Sequence, residues 1–335
     1  MTPRVQPQFV LPASTTNSMT RLPAFVEHGG EIACRHPADA INSRMYAFVV
    51  DGDRHLLNQY CEVMYNRPSG GTENWRAAGS EVLLNFVDIP TMGSTDLLDR
   101  RLGVCAEREV AIWFPVIDTK RDRFAWAVPY MFVDSALALA GGREVYGFPK
   151  QMGTISIPRG SVVPSSLSLS SVTLRTHAPE SVATDYPVIT VERPDDGGTL
   201  SPPWDHPAQA VRQIEQTIIE AVGGTRHPAL EALFFEQMVR ENIPMLLLKQ
   251  FRDAHQQGSA CYQAVLTVDM AVTTFRSGGL LPNDYTITIA DLAGEPISRE
   301  LGVPHTCRPR LAFWLEFDFL VRLGTILSEA SGGRS

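Results

Sequence analysis

Short apolar stretches, separated by turn-forming residues, recur along most of the chain. Residues 44–50 form an apolar stretch that stops at Asp51-Gly52-Asp53, and residues 110–117 and 124–128 flank a charged run, as the two strands of a hairpin do. Further strands are predicted at residues 81–89, 154–176, 187–191, 243–251, 261–274, 284–289 and 310–323. Many strands and few helices predict an α+β domain dominated by antiparallel sheet.

Helical spacing of apolar residues is confined to a few segments. Residues 54–66 follow a capping aspartate, Asp51 or Asp53, and predict a helix, as do residues 208–222 and 227–241. We expect the last two to form a helical insertion at about 205–242. The N-terminal residues 1–30 are predicted to be a disordered leader, and residues 31–330 a single domain, because no linker divides them.

Composition and motifs exclude several classes of protein. The net charge of −8 gives no basic surface for nucleic acid, and no apolar run is long enough to span a membrane. The five cysteines are scattered, which predicts reduced thiols and a cytoplasmic protein. The chain has no phosphate-binding loop, serine elbow or metal-binding histidine pair, so we expect no metal and no cofactor.

The distribution of basic residues draws attention to one lysine. Of 29 basic residues only Lys120, Lys150 and Lys249 are lysines. A lysine amine can lose its proton and attack a carbonyl, whereas a guanidinium stays charged. Lys120 lies in a charged run typical of a solvated turn, and Lys249 alternates with leucines in a predicted strand, where it is the rival to Lys150 as an inward-facing amine.

The segment around Lys150 is predicted to be extended, because Pro149 disfavours helix at the residue before it. Alternation would then place Tyr146, Phe148 and Lys150 on one face of a strand and turn Gln151 away. Burial beside two aromatic rings disfavours a charged ammonium, and a neutral amine is what Schiff-base chemistry requires. The alternative is a surface lysine whose stem covers apolar neighbours.

The run Gly-Arg-Glu-Val-Tyr-Gly-Phe-Pro-Lys at residues 142–150 resembles the signature of the acetoacetate decarboxylase superfamily. The likeness covers roughly residues 40–325 and is specific only around 130–153. It implies a sheet closed into a cone-like or barrel-like shape with few peripheral helices, homo-oligomers, and Lys150 forming an imine with a keto acid. Gln151 departs from the pattern, because the decarboxylases carry a second lysine there.

The resemblance also implies further site residues. Arg44 falls on the family's substrate-facing arginine, with a strand-edge arginine as the alternative, and Tyr130 and Gln151 are candidate hydrogen-bond donors to the substrate. The family places two glutamates in the pocket. Among the acidic residues near the predicted hairpin, Glu107, Glu109, Asp118 and Asp122, Glu109 is the preferred candidate catalytic residue.

Taken together, these features predict a Schiff-base-forming carbon–carbon lyase acting on a small keto acid. Two alternatives stay open. One is a pyruvate aldolase-dehydratase that uses the same lysine iminium, and the other is a non-catalytic ligand-binding protein on the same scaffold. The partner expected in every case is a small keto acid, with no nucleic acid and no membrane.

Overall fold

The protein is described here from a computed structural model. The structure describes residues 25–26, 35–158, 163–194, 203–206, 208–209 and 242–331. The predicted leader, residues 1–30, lies outside the described residues except at positions 25 and 26. The predicted helical insertion at 205–242 likewise lies almost wholly outside them.

Ten strands form a large sheet. They are β1 (Ala38–Asp51), β2 (Trp75–Ala77), β3 (Glu81–Ser94), β4 (Cys105–Asp118), β5 (Arg123–Val133), β6 (Lys150–Met152), β10 (Asn242–Arg252), β11 (Ala260–Leu280), β14 (Leu311–Val321) and β15 (Thr325–Ser331). Their order is β2-β4-β3-β1-β14-β11-β10-β5-β6, with β15 beside β11. Because β4 also pairs with β5, seven of these strands form a closed circuit.

The predicted fold class is confirmed, with one refinement. Most pairings are antiparallel, but β5 runs parallel to both β10 and β6, so the sheet is mixed. A second sheet of five strands lies apart from the circuit. Its members are β7 (Thr154–Ser156), β8 (Ser166–Thr173), β9 (Thr184–Glu192), β12 (Thr286–Ile289) and β13 (Thr306–Cys307).

Three short α-helices are seen in the described part of the chain. They are α1 (Arg54–Cys61), α2 (Ala136–Gly141) and α3 (Ile297–Leu301). The predicted aspartate cap is Asp53, whose carboxylate accepts hydrogen bonds from the backbone N–H groups of His55 and Leu56 at 2.7 and 3.2 Å. None of these helices has the length and apolar character needed to cross a membrane.

Both faces of the closed sheet are buried, and alternation along β1 shows how. Tyr46 and Phe48 point into a core that also holds the second sheet and the helices α1 and α3. Met45 and Ala47 point into a second core that also contains Tyr146 and Phe148, the aromatic residues next to Lys150 in the sequence. The sheet therefore shields the lysine segment from solvent on its apolar side.

The prediction that the lysine segment is extended is wrong. Helix α2 continues as a wider helical turn, Gly142–Tyr146, and the chain becomes a strand only at Lys150. Gly147 ends the helical turn with φ of 77°, a conformation that favours glycine. A Cβ there would lie 2.5 Å from the Cα of Lys249, so contact with β10 also requires glycine.

The hairpin strands are longer than predicted. Pairing of β4 with β3 extends back to Cys105, so Glu107 and Glu109 lie inside the strand rather than before it. At its other end β4 includes Asp118, which is buried although its place beside a turn suggested a solvated carboxylate. The strand therefore carries buried acids at both ends.

Candidate active site

Lys150 is the first residue of β6 and is almost completely buried. It pairs in parallel with Met131 of β5, and only 7% of its side chain is exposed. The side chain passes over Gly142, where a Cβ would lie 2.7 Å from Lys150 Cδ and 2.9 Å from Cε. The lysine therefore packs directly on a helical backbone that has no room for a larger residue.

Two glutamates of β4 face the lysine amine. Glu107 and Glu109 are two residues apart, so alternation places both on one side of the strand. Lys150 Nζ lies 3.5 Å from Glu107 Oε1 and 3.9 Å from Glu109 Oε2. Charge-assisted hydrogen bonds are usually about 2.7–2.9 Å long, so neither carboxylate holds the amine in a tight pair.

Among the described residues, the cluster around the amine holds two acidic groups, Glu107 and Glu109, but only one basic group, Lys150. Burial raises the pKa of Glu109 to about 7; the positive charge of Lys150 opposes this rise and the negative charge of Glu107 adds to it. Glu107 Oε2 is buried and has no hydrogen-bond partner among the described residues. A carboxyl group that titrates near neutral pH can both give and accept a proton, as general acid–base catalysis requires.

A cavity of about 360 Å³ lies beside the amine, and Lys150, Glu107 and Glu109 all line it. The remaining wall is largely apolar and includes Ile89, Met92, Met131, Met270, Phe319 and Val321. Such a wall provides a dry space next to the nucleophile in which a small carbonyl compound can bind.

Aromatic side chains close the cavity near the lysine. The Phe148 ring centroid is 5.9 Å from Lys150 Nζ, and the Tyr146 ring meets Phe148 edge to face at 5.9 Å between centroids. The Tyr146 hydroxyl donates a hydrogen bond to the backbone carbonyl of Arg322 at 2.7 Å. Both aromatic residues thus line the cavity with Lys150, although the segment is not the strand that was predicted.

Three other predicted substrate-binding residues lie outside this cavity. Arg44 pairs with Glu316, directly opposite it on β14, and lines a neighbouring cleft of about 660 Å³, of which Glu107 is also a lining residue. The Tyr130 hydroxyl donates to Glu300 at 2.5 Å. Gln151, which alternation turns away from the lysine, donates to Glu295 at 3.1 Å.

The rival lysine, Lys249, does not line the cavity. Its ammonium nitrogen lies 5.7 Å from the Phe251 ring centroid and 5.6 Å from that of Tyr262. Burial lowers the pKa of Lys249, and the nearby charge of Glu144 opposes this shift. Lys249 thus has an acidic residue nearby, as Lys150 does, but it does not line the cavity.

Sequence reasoning considered both glutamates and preferred Glu109, which is the more distant of the two from the amine. Glu107 is the nearer carboxylate, and the spacing of the two glutamates on an apolar strand was the available signal. Gly142 and His36 were missed. His36 lines the cavity, and its ring packs edge to face against that of Tyr146, with 4.8 Å between the centroids. The two residues are far apart in the sequence, so no local pattern predicts this contact.

In the described part of the chain, no cluster of three or more histidine, cysteine or acidic side chains could hold a metal ion. The four described cysteines, Cys61, Cys105, Cys261 and Cys307, form no disulfide.

Solved structures define the class of fold. Acetoacetate decarboxylase from Legionella pneumophila subsp. pneumophila is 15% identical, with a TM-score of 0.59 over 93% of each chain. The enduracididine biosynthesis enzyme MppR, complexed with the condensation product of pyruvate and imidazole 4-carboxaldehyde, is 14% identical, with a TM-score of 0.56 over 95% of this chain and 99% of its own. An acetoacetate decarboxylase-like enzyme from Sphingomonas wittichii RW1 is 11% identical, with a TM-score of 0.53, covering 89% and 95% of the two chains.

The family follows from the sequence itself. A family model for acetoacetate decarboxylase matches residues 80–330, well over half of the chain. The chain therefore belongs to the acetoacetate decarboxylase family. The matched region contains Lys150, Glu107 and Glu109 and begins after Arg44. No curated protein matches the chain.

Proposed function

We propose that the protein is a carbon–carbon lyase that uses Lys150 to form a Schiff base with a keto acid and releases CO2. The main support is the placement of one buried amine beside two loosely held carboxylates and an apolar cavity. Membership of a family of lyases supports the same reaction class.

The first step is condensation. The lone pair of Lys150 Nζ attacks the ketone carbon, the oxygen takes up protons and leaves as water, and an iminium ion forms. In a 3-keto acid such as acetoacetate, the bond between the α-carbon and the carboxylate carbon then breaks, and its electron pair moves toward the iminium nitrogen to give an enamine and neutral CO2. Protonation of the enamine carbon and hydrolysis of the resulting iminium release a ketone and restore the amine.

Glu109 is the proposed proton carrier. Its carboxylate, 3.9 Å from the amine, can accept a proton from the ammonium and so free the lone pair for attack. Its raised pKa allows the same group to return a proton to the enamine carbon near neutral pH. Glu107, at 3.5 Å, is proposed to position the amine.

The walls of the cavity suit the departure of CO2. No arginine is among the described residues that line the cavity, so a substrate carboxylate there would face mostly apolar side chains and three acidic residues, Asp99, Glu107 and Glu109. An apolar environment disfavours an anion much more than a neutral molecule. Arg44, which pairs with Glu316 in the neighbouring cleft, is left out of this mechanism.

Borohydride trapping tests the proposal. The protein is incubated with acetoacetate and reduced, which converts an iminium into a stable secondary amine, and the peptides are analysed by mass spectrometry. The adduct is expected on the peptide that contains Lys150, whereas the peptide that contains Lys249 should be unmodified. Absence of any adduct with acetoacetate and with other keto acids would favour a non-catalytic binding protein.

An aldolase-dehydratase is the second candidate. It is supported by Gln151, which stands where the decarboxylases carry a second lysine, and by the fold shared with MppR, whose solved complexes contain pyruvate and its condensation product. The two reactions share the Lys150 iminium. Release of CO2 from acetoacetate would indicate the decarboxylase, and an enone absorbance growing from pyruvate plus an aldehyde would indicate the aldolase-dehydratase.

The cytoplasmic location and the homo-oligomeric state stay predictions. Gel filtration coupled to light scattering would measure the oligomeric state directly.

A further inference from the structure

We infer that the substrate's carbonyl group carries an apolar chain of several carbons, which runs from Lys150 to the open end of the cavity. This inference rests on the proposed function, because the chain is placed by the Schiff base at Lys150. It narrows the substrate class to medium-chain keto acids, with acetoacetate as a poor substrate.

The two ends of the cavity differ in exposure. The lining residues near the amine are buried, with Met131 only 3% and Phe148 only 6% exposed. Three other lining residues reach solvent, since Leu102 is 82%, Val104 64% and Leu137 37% exposed. The cavity therefore has a closed end at the lysine and an open end whose rim is made of leucine and valine.

The wall between the two ends is mostly apolar, with His36, Asp99 and Cys105 as its polar residues. Ile89, Phe319 and Val321 line it and are buried, and Met92 and Met270 complete it. Asp99 also lines the cavity, but its carboxylate accepts hydrogen bonds from Arg35, from the backbone N–H and from Nη1. An apolar path thus connects the amine with the rim.

The size of the cavity exceeds that of the smallest keto acids. About twelve water-sized groups of roughly 30 Å³ each would fill 360 Å³. Acetoacetate has only seven non-hydrogen atoms, so it would leave apolar wall in contact with water. A chain with four or five more carbons would cover that wall and reach the rim.

Methyl ketones of increasing length test the inference without turnover. Each ketone, from acetone to 2-nonanone, forms an imine with Lys150 by loss of water, and borohydride then adds hydride to the imine carbon. The concentration that gives half-maximal adduct should fall by up to about fourfold per added methylene, the gain for a fully buried CH2 group of about 0.8 kcal/mol. Measurement of intact protein mass quantifies the adduct.

Two exposed leucines of the same segment provide a matched pair of variants. Leu102→Asp should weaken the dependence on chain length, because Leu102 forms the rim. Leu98→Asp should leave it unchanged, because Leu98 is 64% exposed and does not line the cavity. Leu102→Ala should have an intermediate effect.

The possible outcomes distinguish failure of the inference about chain length from failure of the proposed Schiff-base function. Adducts on Lys150 whose half-maximal concentration does not change with chain length would overturn the inference and leave the proposed function standing. Equal effects of Leu102→Asp and Leu98→Asp would also overturn it. Absence of an adduct with every ketone and keto acid would overturn both.

Discussion

Strand β4 carries a buried charge cluster at each end, and the two clusters are built in opposite ways. The lysine cluster consists of Lys150, Glu107 and Glu109, with one cation for two acids and nitrogen–oxygen distances of 3.5 and 3.9 Å. The hairpin cluster consists of Glu73, Asp118, Arg121 and Arg123. It has two cations for two acids.

Contacts in the hairpin cluster are close. Arg123 lies 2.6 Å from Asp118 and also forms a short ion pair with Glu73, which Arg121 contacts as well. Arg123 further stacks over the Trp75 ring at 5.4 Å from its centroid. Both acidic side chains are fully buried, so their charges depend on the two arginines, which are themselves 45% and 33% exposed.

The titration of the two clusters follows from these contacts. Burial by itself would raise the pKa of Asp118, but hydrogen bonds from Arg123 and from the backbone N–H groups of Lys120 and Asn74 hold this pKa below its ordinary value. Burial of Glu109 is opposed by the charge of Lys150 but by no hydrogen bond from the described residues, and its pKa rises to about 7. In the hairpin cluster each acid has a cation as its partner and stays charged. In the lysine cluster the acids outnumber the cations, so the Glu109 carboxyl group can gain or lose a proton near neutral pH.

Replacement of Lys150, the cation of the lysine cluster, is expected to give the largest effect that distinguishes the two clusters. Lys150→Met should lower kcat/KM at least about 10³-fold, because the covalent step is lost. The free energy of unfolding near pH 6 should change by less than about 2 kcal/mol, since Glu109 can be neutralised by protonation. Urea denaturation and steady-state assays measure the two effects.

Lys249→Met is the matched control, because Lys249 is also partly buried but lies outside the cavity. It should retain activity within about threefold. Equal loss of activity in the two variants would contradict the assignment of Lys150 as the nucleophile.

Removal of one cation, Arg123, from the hairpin cluster should lower the stability of the protein and leave the reactivity of Lys150 intact. Arg123→Met leaves Glu73 and Asp118 with Arg121 alone. Because the Arg123 side chain is one-third exposed, we expect a cost of about 1–3 kcal/mol, typical of a buried acceptor that loses its partner. The urea midpoint should fall accordingly, while the Lys150 adduct still forms in the folded protein. A variant that stays as stable as the wild type would show that the close contacts of this cluster contribute little.

Sequence reasoning went furthest where local pattern decides. The apolar stretches correctly predicted the central part of β1 and both strands of the hairpin. The scarcity of lysine among the basic residues drew attention to Lys150. The ends of β4 were missed because pairing with β3, not apolar content, extends the strand to the glutamates. That extension is what brings Glu107 and Glu109 to the amine.

Other features depend on distant contacts. The helical turn before Lys150 was predicted as a strand, because the fit of Gly147 against Lys249 and of Gly142 against the lysine side chain cannot be seen from neighbours in sequence. Arg44 was predicted to face the substrate, with a strand-edge arginine as the alternative. Its guanidinium forms an ion pair with Glu316, the residue opposite it on β14. Such pairings are set by the whole sheet.

Gly142 offers a smaller change to the same cluster. Gly142→Ala is compatible with the helical backbone, but its Cβ would collide with Lys150 Cδ at 2.7 Å and displace the amine from the carboxylates. A displacement of about 1 Å can cost up to about 100-fold in rate. We expect a loss of kcat/KM of about 10- to 100-fold with nearly unchanged stability.

The adjacent glycine provides the control for this collision. In Gly141→Ala the new Cβ would meet only His36, at 3.7 Å, which is an ordinary contact. Activity should therefore stay within about threefold of the wild type. A similar loss in both variants would indicate a general effect on helix α2 rather than displacement of the lysine.

The pH dependence of stability tests the contrast with two conservative variants of β4. The folded-state pKa of Glu109 is raised, from 4.5 to about 7, so its contribution to stability is fully present below pH 4.5 and lost as the pH rises through 7. Glu109→Gln should remove this loss. Relative to the wild type, the variant should gain about 3 kcal/mol in free energy of unfolding between pH 4.5 and pH 7.5.

Asp118→Asn should show the opposite sign. Because the pKa of Asp118 is lowered in the folded protein, its contribution is present above its ordinary value of 3.8 and lost as the pH falls through the lowered pKa. The variant should thus be less stable than the wild type from pH 5 to pH 8, and the difference should shrink below pH 3.8. Urea denaturation across this range measures both variants. Parallel curves for the two would mean that the clusters at the ends of β4 do not differ in the way their contacts indicate.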